Sequence, residues 1–297
     1  MSHSALAELC IPLLQTFLGS TTVFEDARYV IFGAPLDATT SYRSGSRFAP
    51  EAVRQASLHM ETYSPQTGLD WEDVAVADVG DVKGIDDVEI ALNKIEAVVK
   101  QIGGAKKVPV MLGGEHTVTL GALRALDPDL VVCMDAHLDL RDELLGRKLS
   151  HATFMRRAFE ELNSRIVVLG CRALSNEELE FSEDHDDRIT VITAFNMLKS
   201  GLSKGIEAVR RELSKASTAY LSIDMDVVDP ASAPAVGNPS PEGISVTALL
   251  DLIAAVADEK IAGIDLTEVA PHYDSGLTAI QAAYILLETI YYLESVR

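Results

Sequence analysis

Three short polar clusters have the residue types and spacing for metal chemistry. Asp135-Ala136-His137-Leu138-Asp139 follows an apolar run, Leu130 to Met134, and Asp224-Met225-Asp226 follows another, Thr218 to Ile223. A third run, Val108 to Leu112, leads through Gly113-Gly114-Glu115 into His116. In an extended backbone, side chains at i, i+2 and i+4 point to one side. Each Asp-containing cluster is therefore expected to present its polar groups together. If the three strands are neighbours in one parallel sheet, their C-terminal ends share a single crevice. Four carboxylates and two imidazoles then meet there. Such a group of acids repels itself unless cations neutralise it. One divalent ion cannot use all six groups comfortably, whereas two ions bridged by shared carboxylates can.

The elements that must position these groups alternate between strand and helix. Arg28–Gly33, Val74–Val79, Val108–Leu112, Leu130–Met134, Arg165–Gly170, Ile189–Ile192, Thr218–Ile223 and Ile261–Leu266 read as strands. Between them, Pro50 opens a helix toward Met60, since proline suits a first helical turn. Ile85–Ile102 places Ile85, Val88, Ala91, Leu92, Ile95, Val98 and Val99 on one helical face. Further helices are expected over Thr117–Leu126, from a Ser150 cap through Leu162, around Ile206–Leu213, over Val246–Ala257 and over Ala279–Leu293. Glu177–Arg188 is strongly acidic and reads as a solvated helix and turn. This alternation means a mostly parallel sheet with helices on both faces, or a closed barrel with the same local pattern. Periodicity does not separate the two.

The 297 residues, 47% hydrophobic, can bury a large core. Although the length would allow two domains, no linker or composition shift divides the chain, so a single domain over residues 1–297 is expected. Residues 1–27 form its N-terminal edge, with an amphipathic helix over Ala5–Leu18. That segment lacks the basic start and small-residue cleavage site of a signal peptide, and no run of 18 apolar residues occurs to span a membrane. The formal net charge of −20 disfavours nucleic acid, whose phosphates need a basic face; its field favours a cationic small molecule, although surface acidity more often serves solubility or a salty or hot habitat. Cys10, Cys133 and Cys171 lack metal-like spacing and read as reduced core residues in a cytoplasmic protein.

Taken together, Gly-Gly-Glu-His at 113–116, Asp-Ala-His-Leu-Asp at 135–139 and Ser-Ile-Asp-Met-Asp-Val-Val-Asp-Pro at 222–230 resemble the three signatures of the arginase/agmatinase (ureohydrolase) family. Gly33–Asp37, Arg43–Pro50 and Asp265–Asp274 match the same family's terminal loops, so the resemblance runs in order from about Val30 to Leu293. It implies a three-layer α/β/α sandwich with a mostly parallel eight-stranded sheet, in preference to a barrel. It also implies two Mn²⁺ ions per subunit. By position, His116, Asp135, Asp139 and Asp224 would hold one, and Asp135, His137, Asp224 and Asp226 the other. Oxygen-rich ligands with two imidazoles and no thiolate suit that metal. Two such ions acidify a bridging water, giving a hydroxide that can attack a guanidinium carbon near neutral pH.

The resemblance further marks Asp139, His151 and Glu268 as catalytic. Asp139 would carry a proton to the leaving nitrogen, His151 in Ser150-His151-Ala152-Thr153 would shuttle protons, and Glu268 would pair with the substrate guanidinium. His3, His59, His185 and His272 are left as structural or surface residues. The loop Leu140–Ser150 resembles the agmatinase form and lacks the Asn and Ser/Thr cluster with which arginases hold a carboxylate. This favours agmatine, with putrescine and urea as products. Guanidino acids stay open because Arg147 and Lys148 lie in the same loop; arginine and formimino compounds are related alternatives, and a catalytically silent binding protein is a third reading. Ala235 and Glu242 stand where many agmatinases have glycine. The family implies a homo-oligomer, trimer or hexamer.

Overall fold

Both faces of the central strands are buried, which is why they read as unbroken apolar runs. Among the described residues, 4–297 of this computed structural model, the strands are β1 (Cys10–Ile11), β2 (Tyr29–Ala34), β3 (Val76–Val82), β4 (Val108–Gly113), β5 (Leu130–Met134), β6 (Arg165–Cys171), β7 (Ile189–Thr193), β8 (Ala219–Asp224) and β9 (Ile261–Thr267). In β5, Leu130, Val132 and Met134 enter one core while Val131 and Cys133 enter the other. The helices Ala49–Ser57, Ser203–Leu213, Val246–Val256 and Leu277–Ser295 cover the first face. Val88–Gly104, Thr119–Leu126 and Phe154–Glu161 cover the second. The result is the expected α/β/α sandwich.

The nine strands form one open sheet in the order β1-β3-β2-β4-β9-β8-β5-β6-β7. Its ends do not meet, so the barrel alternative is excluded. Eight strands, β2 to β9, run parallel, and β1 pairs antiparallel with β3 through Cys10↔Val82 and Ile11↔Asp81. The ninth strand corrects both the strand count of eight and the helix expected over Ala5–Leu18. The helix there covers only Ser4–Leu9. Pro12 cannot continue a helix, and the free edge of β3 offers backbone partners to the two residues before it. His3 lies outside the described residues.

Two further expectations change. Ser150 caps no helix: its N–H donates to Thr153 Oγ1 at 2.9 Å, and the helix starts at Phe154. The acidic segment does contain a helix, Asn176–Asp184, but Glu178 is buried rather than solvated. It closes a capping box with Ser175 and accepts the N–H of Leu140 at 3.2 Å.

A buried ion pair fixes the wall opposite. The guanidinium of Arg54 meets Asp78 at 2.7 and 3.0 Å and Asp81 at 2.6 Å. With Arg54 only 1% exposed, this ties the Ala49–Ser57 helix to β3 and so anchors the long loop that precedes the helix.

Candidate metal centre and its pocket

β4, β9, β8 and β5 are consecutive in the sheet, and all run parallel. Their C-terminal ends lie side by side, on the edge where open α/β sheets bind ligands. His116 follows β4, Glu268 follows β9, Asp224 ends β8 with Asp226 beyond it, and Asp135, His137 and Asp139 follow β5. The structure thus brings together all six residues expected to hold metal and the expected guanidinium partner.

The means of convergence differs from expectation. Ala136 and His137 form a bend, and Met225–Val227 a 3₁₀ turn. Asp135 Oδ1 accepts the N–H of His137 at 2.6 Å, and Asp224 Oδ1 accepts that of Asp226 at 2.7 Å. Each is an Asx turn that folds the chain back over its strand end. Asp139 and Glu268 have φ of 52° and 64°. These left-handed conformations are costly for residues other than glycine, and they aim both carboxylates inward. Gly114 permits close packing beside them: a Cβ there would lie 2.0 Å from the carbonyl oxygen of Leu36.

At the centre, His116 Nδ1 is buried and lies 3.1, 3.5 and 3.0 Å from oxygens of Asp135, Asp139 and Asp224. It makes no hydrogen bond with any of them. Its other nitrogen, Nε2, is 2.9 Å from Ser222 Oγ, which donates to Asp265 at 2.6 Å. Asp265 also accepts from Thr119 Oγ1 and Tyr220 OH, each at 2.8 Å. With its proton held on the Nε2 side, His116 presents an unpaired Nδ1 to three acids. A divalent cation satisfies that arrangement, and the histidine–serine–aspartate chain is the kind of outer support that metal-bound imidazoles have.

His137 Nδ1 lies 2.9 Å from Asp226 and 3.6 Å from Asp135. The ligand atoms of Asp135, His137 and Asp226 all fall within 4.8 Å of one another. Asn238 reaches His137 Nε2 at 3.1 Å. Arg172 donates to the carbonyls of Asp226 and Ser240 at 2.7 and 2.8 Å, stitching this turn to the loop that bears Asn238. Cys133 also stands near His116 and Asp135, but burial raises its thiol well above the ordinary range, so it stays protonated and makes a poor ligand.

The protonation pattern follows from burial and crowding. For the protein groups alone, burial and then the charge of Asp135 raise Asp139 to about 7. Burial also raises Asp224 well above the usual carboxylate range, with Asp226 and Asp135 adding to it. Burial opposes charge on His116 and His137, but the surrounding carboxylates outweigh it and both are raised. Burial opposes charge on Asp135, but the two adjacent histidines outweigh it and lower the carboxyl. The site is an acid-rich cluster that would exchange protons for cations.

A cavity of about 410 Å³ opens above it, bounded by His151, Glu268, Tyr42, Arg141, Leu174 and Asn238 among others. Glu268 Oε1 accepts the N–H of His116 at 2.7 Å. Its Oε2 faces Gly237, where a Cβ would approach to 2.8 Å. Burial, then the charge of Glu115, raises Glu268 to about 8. His151 is lowered to about 4 by burial and by the nearby His137 and His116, so its ring is neutral at ordinary pH.

Arg147 and Lys148 do not line this cavity. Arg147 donates to the carbonyl of Ala38 at 2.8 Å and Lys148 pairs with Asp142 at 3.7 Å. The cation that does line it is Arg141, 3.6 Å from Glu178. Sequence reasoning missed this pair, along with Ser222, Asp265 and Asn238. Asp265, an acid inside an apolar strand, was a readable signal.

Comparison with known proteins agrees with this geometry. The model of the arginase family matches residues 27–291, and the chain belongs to that family. The agmatinase of Bacillus cereus is 35% identical over 285 residues, spanning 93% of this chain and 95% of its own. The N(1)-aminopropylagmatine ureohydrolase of Thermococcus kodakarensis is 34% identical over 270 residues, spanning 90% and 91%. The crystal structure of agmatine ureohydrolase of Thermoplasma volcanium has a TM-score of 0.88 at 40% identity, covering 98% of each chain. This protein is therefore a hydrolase that acts on the C–N bonds of linear amidines.

Proposed function

We propose that the substrate is agmatine and the products are putrescine and urea, with two manganese ions at the centre. His116, Asp135, Asp139 and Asp224 would hold one ion, and Asp135, His137, Asp224 and Asp226 the other. The observation that carries the reading is the unpaired His116 Nδ1 among three buried carboxylates. Two such ions would supply a water acidic enough to attack the guanidinium carbon near neutral pH.

The chain's own residues do the rest. Glu268, with Oε1 tied to the His116 backbone, leaves Oε2 to accept an N–H of the guanidinium and hold the carbon in place. Asp139 accepts a proton at the nucleophile and returns it to the nitrogen that leaves when its bond to the guanidinium carbon breaks. His151, neutral and at the pocket wall, exchanges that proton with solvent. The water adds to the carbon, the diamine departs and urea remains, so atoms balance without a further reactant.

The far wall favours a chain without a carboxylate. Few cations are free there: Arg141 stands against Glu178, while Arg147 and Lys148 are engaged elsewhere. A guanidino acid is the second reading, because Arg141 is the cation within the pocket that could turn toward a carboxylate. The same reading takes residues 1–297 as one ureohydrolase domain, of which the family model matches 27–291, in a cytoplasmic trimer or hexamer. Among the described residues no helix is long and apolar enough to cross a membrane.

Urea release from agmatine, arginine, 4-guanidinobutyrate and 3-guanidinopropionate by manganese-loaded protein tests the proposal, with Asp139→Asn as control. Agmatine is expected to be turned over fastest, and the control to lose that turnover. Preference for a guanidino acid would transfer the tail contact to Arg141. Preference for arginine would overturn the reading of the loop.

A further inference from the structure

Behind His151 lies a chain of buried hydroxyls that the reaction scheme leaves unused. Thr39 Oγ1 is 2.7 Å from Glu115 Oε1, 3.0 Å from the backbone nitrogen of His151 and 3.2 Å from His151 Nδ1. Glu115 is fully buried. It also accepts the N–H of Thr39 at 2.6 Å and the hydroxyl of Thr117 at 2.7 Å. Three donors therefore converge on one carboxylate, which acts as an acceptor to all of them.

Counting protons settles the direction of each bond. Thr39 has one hydroxyl proton, and the short contact to Glu115 takes it. The Thr117 hydroxyl, 3.5 Å from Thr39, gives its own proton to Glu115 and has none to offer. Thr39 Oγ1 is left with two lone pairs. The His151 backbone N–H fills one, and only a protonated Nδ1 can fill the other. His151 Nε2 then carries the lone pair, at the end of the ring that lies 3.3 Å from the exposed Ser41 hydroxyl.

We propose that Thr39 and Glu115 are positioning residues for His151, fixing its imidazole in the Nδ1–H form and turning the Nε2 lone pair to the pocket rim. A shuttle needs its free nitrogen on the side where protons arrive, and a ring free to exchange tautomers spends part of its time with the wrong nitrogen there. The catalytic consequence rests on the reading of His151 given above, whereas the tautomer does not.

Two measurements separate these. Neutron diffraction from deuterium-exchanged, manganese-loaded crystals reads the tautomer directly. Deuterium is expected on His151 Nδ1 and on Thr39 Oγ1 pointing at Glu115. Deuterium on Nε2 in place of Nδ1, with the Thr39 hydroxyl turned to the ring, would overturn the proposal even if the enzyme is active. Kinetics then test the consequence. Thr39→Val should lower kcat about ten-fold with KM changed by less than about two-fold and manganese content intact, and Thr39→Ser should restore it. In a His151→Asn background, Thr39→Val should cost less than about two-fold more, because the two residues act as a unit. An equal loss with and without His151 would overturn the positioning role. If the wild type releases no urea, the proposed function fails, and the neutron map still decides the tautomer. If Thr39→Val does not fold, Thr39→Ser at wild-type kcat together with that map carries the test.

Discussion

Ser222 Oγ stands 2.9 Å from His116 Nε2 and donates its hydroxyl hydrogen bond to Asp265, so a serine mediates between the imidazole and its supporting acid. All three residues are buried. The arrangement fixes which nitrogen of His116 faces the candidate metals. Ser222→Ala removes the link without a steric clash. Loss of such outer support costs about 10- to 100-fold in metal affinity. Competition with a chelating dye should show that drop at the ion nearest His116, and an unchanged affinity would remove Ser222 from the account.

Gly237 sets the space around Glu268. A methyl group there would come within 2.8 Å of Oε2, while Oε1 is held by the His116 N–H. The carboxylate in Gly237→Ala must therefore turn away from the pocket. A hydrogen bond to a charged group contributes roughly 1.5 to 3 kcal/mol, so kcat/KM should fall about 10- to 100-fold with manganese content unchanged. Steady-state kinetics beside metal analysis checks this, and wild-type kcat/KM would argue against Glu268 as the guanidinium partner.

Glu242 occupies a left-handed backbone position, φ 63°, on the exposed loop after Asn238. Left-handed geometry costs an ordinary residue about 1 kcal/mol, and glycine offsets part of that gain through its freer unfolded chain. Glu242→Gly is expected to stabilise the protein by about 0.5 kcal/mol, a rise of roughly 1 °C in Tm. A lowered Tm would show that the Glu242 side chain makes a compensating contact.

Without bound cations, stability should depend on pH in a defined direction. Asp139 keeps its proton to about 7 and Glu268 to about 8, both chiefly because they are buried. In the unfolded chain these carboxyls ionise near 3.8 and 4.5. Between those values the folded state binds more protons, so stability falls as pH rises. The lowered His151 acts in the opposite sense, but its contribution is lost only below its ordinary 6.5. His116 and His137, both raised, act in the same direction as the carboxyls. The Tm of chelator-treated protein should therefore decline from pH 6.5 to above 8, and manganese should flatten or reverse the decline by taking up the sites those protons leave. A chelated Tm that rises across this window would contradict the protonation pattern.

The sequence was most legible where chemistry left paired signals. Apolar runs leading to Asp and His located three of the four central strands and their cargo; Ile261–Leu266 also reads as a strand, but Glu268 beyond it is marked only by the family resemblance. Less legible was how the chain turns beyond each strand end. The Asx turns at Asp135 and Asp224 and the left-handed Asp139 and Glu268 depend on local hydrogen bonds that a two-residue period does not encode. Cys10–Ile11 became a strand because β3 has an edge to fill, which no local pattern announces. Glu178 and Arg141 were passed over for a related reason: burial of an acid inside an acidic stretch is decided by a neighbouring loop.

The central claim is a two-ion centre bridged by shared carboxylates. Its most direct test is the number of manganese ions bound per chain, by equilibrium dialysis with elemental analysis, in the wild type and in Asp224→Ala. The account predicts two ions per wild-type chain, and weakened binding of both when the bridge at Asp224 is removed. A single ion in the wild type at saturating manganese, or two ions retained at full affinity in Asp224→Ala, would contradict it.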